Sequence, residues 1–182
     1  MAHYFIGIQL PKTLQHFYSH WQKELESKLS YKRWMHMEDF HITLKFLGEA
    51  DEAKVDFLQD KLSHSTLPIN FQLHLSELGI FGANERPRVL LVNVRPSAKL
   101  LNLQSMVSET ALESGFSKEN RAFHPHMTLA KKWKADTSLP EGFISSLQQE
   151  FPVVNQFTVS HITLYRIHPG HEPSYEKVAI FQ

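Results

Sequence analysis

Phe40-His41-Ile42-Thr43-Leu44-Lys45-Phe46-Leu47-Gly48-Glu49 is answered further along the chain by Pro125-His126-Met127-Thr128-Leu129-Ala130. The offset between the two histidines is 126 − 41 = 85 residues. At the same offset Pro11 falls on Pro96, and the apolar run Phe5-Ile6-Gly7-Ile8 falls on Leu90-Leu91-Val92-Asn93. The motif therefore occupies one place in two gapless copies of a larger unit. Two histidines and two threonines brought together by an internal repeat predict one acid–base site at the junction of two similar lobes.

Strand geometry gives each motif its chemistry. Residues two apart share a face of a strand, so strict alternation sends His41, Thr43 and Lys45 one way and Phe40, Ile42, Leu44 and Phe46 the other. His126 and Thr128 share a face in the same manner, opposed by Met127 and Leu129. Each strand buries an apolar face and presents an imidazole and a hydroxyl. A pseudo-twofold between the copies would make the two polar faces meet across a groove.

His-x-Thr alone is short, and the chain holds four copies, at His41, His64, His126 and His161, each followed by Leu. Context must choose between them. His64-Ser65-Thr66-Leu67 runs into Pro68 and reads as loop. His161-Ile162-Thr163-Leu164 reads as strand, but the residue 85 positions earlier is Ser76 and no Leu-Gly-Glu follows, so a structural role is expected for it. His16 and His20 share a face of the first predicted helix at metal-ligand spacing, yet nothing ties them to the strand motifs.

Composition bounds the function. The 182 residues carry 42% hydrophobic and 12% aromatic side chains, which fits one globular domain spanning residues 1–182, not a disordered chain. With no Cys, disulfides, thiol catalysis and Cys-ligated metals are excluded. The N-terminus starts on a strand-like pattern with no secretory signal, and no apolar run reaches the length of a membrane span, so an intracellular, cytoplasmic protein is expected. The formal net charge is zero. A protein gripping long nucleic acid would show a basic excess. The local runs Tyr31-Lys32-Arg33-Trp34 and Lys131-Lys132-Trp133-Lys134 read first as ordinary solvated surface; the functional reading is a small positive rim near a phosphate, which would suit an RNA end or a nucleotide.

Periodicity predicts strands over 3–10, 34–47, 69–78, 88–94, 123–130, 157–167 and 175–181. Helices are expected from Pro11 to about Leu29, over 52–62, from Pro96 to about Ser114, and over 139–151, with a turn-rich loop at 81–87. Mixed without regular alternation, these elements predict an α+β fold. It would have two similar lobes of antiparallel sheet plus helices about a pseudo-twofold, with the groove between them.

Two imidazoles titrating near neutrality can take a proton from a nucleophile and give one to a leaving oxygen. Two threonine hydroxyls can donate to non-bridging oxygens. The set suits metal-free cleavage of a strained phosphodiester such as a 2′,3′-cyclic phosphate. Thr is a poor zinc ligand and Cys is absent, so no metal and no other cofactor is expected. No Walker-type loop appears, and Lys134-Ala135-Asp136-Thr137 ends wrongly for a covalent lysine ligase, so ATP-driven ligation is not expected.

These residues resemble the 2H phosphoesterases, and within them the RNA 2′,3′-cyclic phosphodiesterases also called 2′-5′ RNA ligases. The likeness rests on both motifs, on Phe5-Ile6-Gly7-Ile8-Gln9-Leu10-Pro11, and on Leu164-Tyr165. It implies hydrolysis of the cyclic phosphate to a 2′-phosphate end, with any ligation being the reverse of ester opening. It also implies roles: His41 as proton donor to the 3′ oxygen, His126 as the base activating water, Thr43 and Thr128 on the phosphate oxygens. The family often has Arg right after the second motif's Leu-Ala, where this chain has Lys131, a point charge without the bidentate fork. Lys131 is a candidate substrate contact, although alternation points it away from the site unless the strand ends or bulges. His124 is a further candidate by parity with His126. The alternatives are a non-catalytic RNA-end or nucleotide-binding module, and a phosphodiesterase acting on a small non-RNA cyclic phosphate.

Overall fold

The computed structural model describes residues 2–152 and 155–182. Nine strands form one antiparallel sheet in the order β7-β4-β5-β6-β3-β1-β8-β9, with β2 also paired to β6. The strands are β1 (Ala2–Gln9), β2 (Tyr31–Trp34), β3 (His41–Ala50), β4 (Phe71–Ala83), β5 (Arg86–Val94), β6 (His126–Trp133), β7 (Asn155–Val159), β8 (Ile162–Ile167) and β9 (Tyr175–Phe181). The helices are α1 (Lys12–Glu26), α2 (Glu52–Ser63), α3 (Ala98–Glu113) and α4 (Phe143–Glu150). The architecture is α+β.

The sheet order is symmetric about the β6–β3 junction, with β5 answering β1. At that junction Ile42 pairs with Met127, its own repeat equivalent, as a twofold axis through that point requires. The lobes are not the two halves of the sequence. The strand β4, which ends the first copy, pairs with β5 of the second, and β8 pairs with β1 of the first. The copies thus exchange strands.

Helices start where local chemistry allows. Pro11 stands at the N-cap of α1, where its missing N–H costs nothing. Ser97 caps α3 by accepting from the Leu100 N–H at 3.2 Å, and Asp51 caps α2 by accepting from the Lys54 N–H at 2.9 Å. The helices cover one face of the sheet and enclose the main core, which includes Ile6, Ile8, Ile42, Leu44, Leu103, Val107, Met127 and Leu129.

Several expected boundaries shift. The stretch 34–47 is not one strand, because a tight turn over Met37–Asp39 separates β2 from β3. The expected loop at 81–87 is mostly strand, since β4 and β5 extend into a long hairpin. Pro125 has no N–H for a ladder, and β6 starts after it at His126 and not at Phe123. The stretch 157–167 divides into β7 and β8, which lie in different parts of the sheet. Helix α4 begins at Phe143, not Leu139.

Alternation also fails within the two motif strands, at equivalent positions. Ile6 pairs with Lys45 but Gly7 pairs with Thr43, so Leu44 is a bulge residue. Leu90 pairs with Ala130 but Leu91 with Thr128, so Leu129 is its counterpart. A bulge leaves one residue out of the ladder. A helix side chain meets each freed carbonyl: Gln104 of α3 donates to the Leu44 oxygen at 3.4 Å, and Gln22 of α1 to the Leu129 oxygen at 2.8 Å. The phase of the side chains reverses beyond each bulge. The expected direction of Lys45 is therefore wrong. It is buried on the core side, donating to the Ser117 carbonyl at 2.8 Å, while Phe46 is 49% exposed.

Candidate functional site

The Ile42–Met127 pair is the one ladder contact between β3 and β6 among the described residues, and the strands part on either side of it. Because they run antiparallel, this register sets His41 beside Thr128 and Thr43 beside His126, all four on the face away from the main core. All four side chains are partly exposed. The sequence-predicted quartet thus stands in one patch.

Both imidazoles are held the same way. His41 Nδ1–H donates to the Asp39 carbonyl at 2.7 Å, and His126 Nδ1–H to the His124 carbonyl at 2.7 Å. Asp39 and His124 are themselves repeat equivalents. A carbonyl only accepts, so in the neutral ring the proton sits on Nδ1 and Nε2 is the basic atom. Thr43 Oγ1 lies 3.0 Å from His41 Nε2, so hydroxyl and ring nitrogen converge on one point.

Aromatic rings fix the imidazole planes. His41 packs on Phe5 at 4.5 Å between centroids and against the edge of Tyr175 at 5.2 Å. Phe5 stacks in turn on the buried Tyr165 at 4.8 Å. His126 meets the edge of Phe81 at 4.8 Å. These walls desolvate the rings and lower both pKa values below the ordinary 6.5. Burial is the main cause for His41, brought to about 4, with Lys131 and His126 lowering it further and the bond to Asp39 opposing. Burial also lowers His126, again against its backbone bond. In the free protein at neutral pH both rings are neutral.

The bulge at Leu129 meets the condition set for Lys131. Leu129 and Ala130 are both buried, the phase reverses, and Lys131 is half-buried on the side of Thr128. Its ammonium is near enough to His41 to depress that imidazole. His124 precedes the strand, so parity does not govern it. Its exposed ring lies 6.1 Å from that of His126, with Nε2 3.2 Å from Asn93 Oδ1. The two basic runs are adjacent: Tyr31 pairs with Trp133 and Arg33 with Lys131.

Sequence reasoning missed Asp39, Phe81, Asn93 and Tyr175, and named Arg33 only as part of a basic run. Asp39 is 3% exposed. Its carboxylate accepts from the Ser174 N–H at 2.8 and 3.1 Å and from the Tyr175 N–H at 3.1 Å. Burial raises its pKa, and those N–H bonds pull it back. Through them the start of β9, distant in sequence, is pinned beside His41. No local pattern announces such a contact; the one available signal was the Asp two residues before the motif.

The remaining histidine motifs lie elsewhere. His64 caps the end of α2, with its ring Nδ1 2.8 Å from the Asp60 carbonyl. His161 stands beside Ser160, at 3.1 Å, and helps line a cavity of about 460 Å³ with Lys12, Glu38, Tyr175 and Lys177. The cavity borders Tyr175 but neither His41 nor His126 lines it. Among the described residues no group of three or more His, Asp or Glu side chains could hold a metal ion. Nor is any helix among them long and apolar enough to cross a membrane.

A family model described as the 2′-5′ RNA ligase superfamily matches residues 10–171. The chain belongs to that superfamily. Among its relatives is the RNA 2′,3′-cyclic phosphodiesterase of Bacillus subtilis (strain 168), 32% identical over 187 residues, which cover 99% of this chain and 96% of that protein. The enzyme of the same description from Geobacillus stearothermophilus is 34% identical over 181 residues, covering 99% of this chain but 57% of that longer protein. The superfamily fold is also seen in the crystal structure of E. coli LigT complexed with 3′-AMP, with a TM-score of 0.79, 24% identity, and coverage of 99% of this chain and 97% of that one. TT0787 of Thermus thermophilus matches at a TM-score of 0.76 and 21% identity, covering 98% and 96%.

Proposed function

We propose that this protein is an RNA 2′,3′-cyclic phosphodiesterase, hydrolysing the cyclic phosphate of RNA or nucleotide ends to a 2′-phosphate by two-histidine acid–base catalysis. The observation that carries the reading is the Ile42–Met127 pairing, which gathers His41, Thr43, His126 and Thr128 on one face. Superfamily membership and the likeness to the Bacillus enzyme support it. It is assigned to the cytoplasm, on one bilobal domain of residues 1–182 built by duplication.

The geometry suits this chemistry, with the roles of the two histidines taken from family likeness. The cyclic phosphorus lies between the two Nε2 atoms. His126 Nε2 accepts a proton from water as the water oxygen bonds to phosphorus. The bond from phosphorus to O3′ breaks, and His41 Nε2–H supplies the proton that O3′ needs. Proton exchange with solvent then resets both rings. The hydroxyls of Thr43 and Thr128 donate to the non-bridging oxygens, where they are best placed to hold charge developing in the transition state. His124, beside His126, is a further candidate contact. With a 5′-hydroxyl RNA end in place of water, the same steps join that end to the phosphate as a 2′-5′ linkage as O3′ departs.

The donor role of His41 follows from family likeness, and it needs an electrostatic correction. The ring is depressed by burial and by Lys131. A bound phosphate anion offsets Lys131 and favours the imidazolium, so His41 gains its proton together with substrate.

The test is hydrolysis of an oligonucleotide ending in a 2′,3′-cyclic phosphate, in the presence of chelator, with product analysis. A 2′-phosphate product supports the reading. Binding without turnover would favour a non-catalytic RNA-end module, and turnover only of small non-RNA cyclic phosphates would move the substrate class.

A further inference from the structure

Two cations face each other beside the site. Arg33 of β2 and Lys131 of β6 are paired across the strands, so their side chains share a face. Both are half-buried, and among the described residues neither makes an ion pair with a carboxylate. The Asp39 carboxylate acts on both, raising the Lys131 pKa and having its own lowered by Arg33, but its oxygens already accept from the Ser174 and Tyr175 N–H groups. Like charges directly opposite each other are destabilising, more so when partly desolvated. The ammonium of Lys131 accordingly has its pKa lowered by burial, by Arg33 and by Lys132.

The guanidinium is also pre-set. Arg33 Nη2 donates to Ser174 Oγ at 2.7 Å, and Ser174 Oγ donates to the His171 carbonyl at 2.6 Å. Holding one nitrogen leaves the rest of the planar donor fork free in a fixed orientation. Such a fork matches two oxygens of a phosphate.

The strand positions of the pair lie beyond the imidazoles, with the Lys131 ammonium reaching back towards His41 and Arg33 on the neighbouring strand. Lys131 lies three residues beyond Thr128, past the bulge, which at roughly 3.3 Å per residue is about 7–10 Å along β6. That is comparable to the separation of successive phosphates on one strand.

We propose that Arg33 and Lys131 together bind the phosphodiester immediately 5′ to the cyclic phosphate, so that the preferred substrate is an oligonucleotide end and not a mononucleotide. The assignment rests on the cyclic-phosphate hydrolysis proposed above. It provides by a cross-strand pair the guanidinium fork that Lys131 lacks, and it explains a basic rim in a chain of zero net charge.

The experiment compares kcat/KM for a nucleoside 2′,3′-cyclic phosphate with that for a dinucleotide carrying the same cyclic end. The dinucleotide is made with an ordinary or a neutral methylphosphonate internucleotide linkage. The expected preference for the charged dinucleotide is on the order of ten- to a hundredfold, the scale of charge-assisted hydrogen bonds. Arg33→Ala should remove most of that preference, Arg33→Lys should keep part of it, and neutralising the linkage should mimic Arg33→Ala on the unmodified protein. The substrate arm holds even if the variant folds poorly. Equal kcat/KM for mono- and dinucleotide, or indifference to the neutral linkage, would overturn the proposal while leaving hydrolysis intact. Turnover of neither substrate would overturn the hydrolysis itself.

Discussion

Gly7 sits where the two motif strands can be disturbed with one methyl group. It pairs with Thr43 at the bulge of β3. A Cβ built there would stand 2.9 Å from the Ile42 carbonyl oxygen, 3.3 Å from His41 Cδ2 and 3.5 Å from Phe5 Cε2. Ordinary contact begins at 3.4 Å, so the Ile42 carbonyl must retreat by about 0.5 Å (3.4 − 2.9). That oxygen is backbone, and Ile42 is the residue that joins β3 to β6. Its retreat moves His41 relative to His126. Overpacking of this kind costs about 1–3 kcal/mol. For a chain of this size that is a fall in Tm of roughly 2–12 °C. Misplacement approaching 1 Å at a reacting group costs up to about a hundredfold in rate. Gly7→Ala should therefore lower both Tm and kcat/KM on a cyclic-phosphate substrate, the latter on the order of ten- to a hundredfold. Gly142→Ala is the control. Gly142 has φ +75 and nothing within 4 Å of its virtual Cβ, so the substitution strains backbone at the cap of α4 without touching the groove. It should lower Tm alone. Full kcat/KM in Gly7→Ala at an equal loss of Tm would refute the reasoning.

The remaining expectations follow from the same contacts. Both imidazoles are lowered from 6.5, so kcat/KM, which reports the free enzyme, should peak on the acid side of neutrality, while kcat should peak at higher pH because bound phosphate favours the imidazolium; a pH series on both constants checks this, and coincident optima above pH 7 would contradict it. The same depression makes stability pH-dependent. Above 6.5 the rings are neutral folded or unfolded; as pH falls from 6.5 towards about 4 the unfolded state binds protons that the folded one resists, so urea midpoints should decline across that window. His41→Ala and His126→Ala should each flatten part of the slope. Asp39→Asn replaces one accepting oxygen by a donor facing the N–H groups of Ser174 and Tyr175. It should cost about 1–3 kcal/mol in urea unfolding and lower kcat through the loss of Tyr175 from the edge of His41.

The repeat made the quartet legible. His41, Thr43, His126 and Thr128 recur at a fixed offset, and a duplicated unit that pairs with itself must bring equivalent residues together on its axis. The α+β class followed from element order. What stayed hidden depended on departures from periodicity. Strict alternation fails at Leu44 and Leu129, because bulges are stabilised by Gln104 and Gln22 reaching from helices distant in sequence. Lys45 was consequently assigned to the groove when it is buried, and Lys131 was pointed away when it is brought back. Phe81 was hidden in an expected loop because Gly82 and Asn84 read as turn signals, although the β4–β5 hairpin continues through most of that stretch. Tyr175 is placed, and the guanidinium of the basic-run residue Arg33 is oriented, by long-range tethers through Asp39 and Ser174, and side-chain contacts across that much chain leave no local trace. The exchange of β4 and β8 between the copies was equally invisible, since a gapless repeat fits exchanged and unexchanged lobes alike.

Kinetics of His41→Ala, His126→Ala and the double variant on a 2′,3′-cyclic-ended oligonucleotide, with chelator present, test the central claim most directly. Each single variant should lose on the order of 10²–10⁴ in kcat. The double variant should be little worse than the poorer single one, because groups acting as one unit are not additive. Wild-type turnover in either single variant would contradict the account.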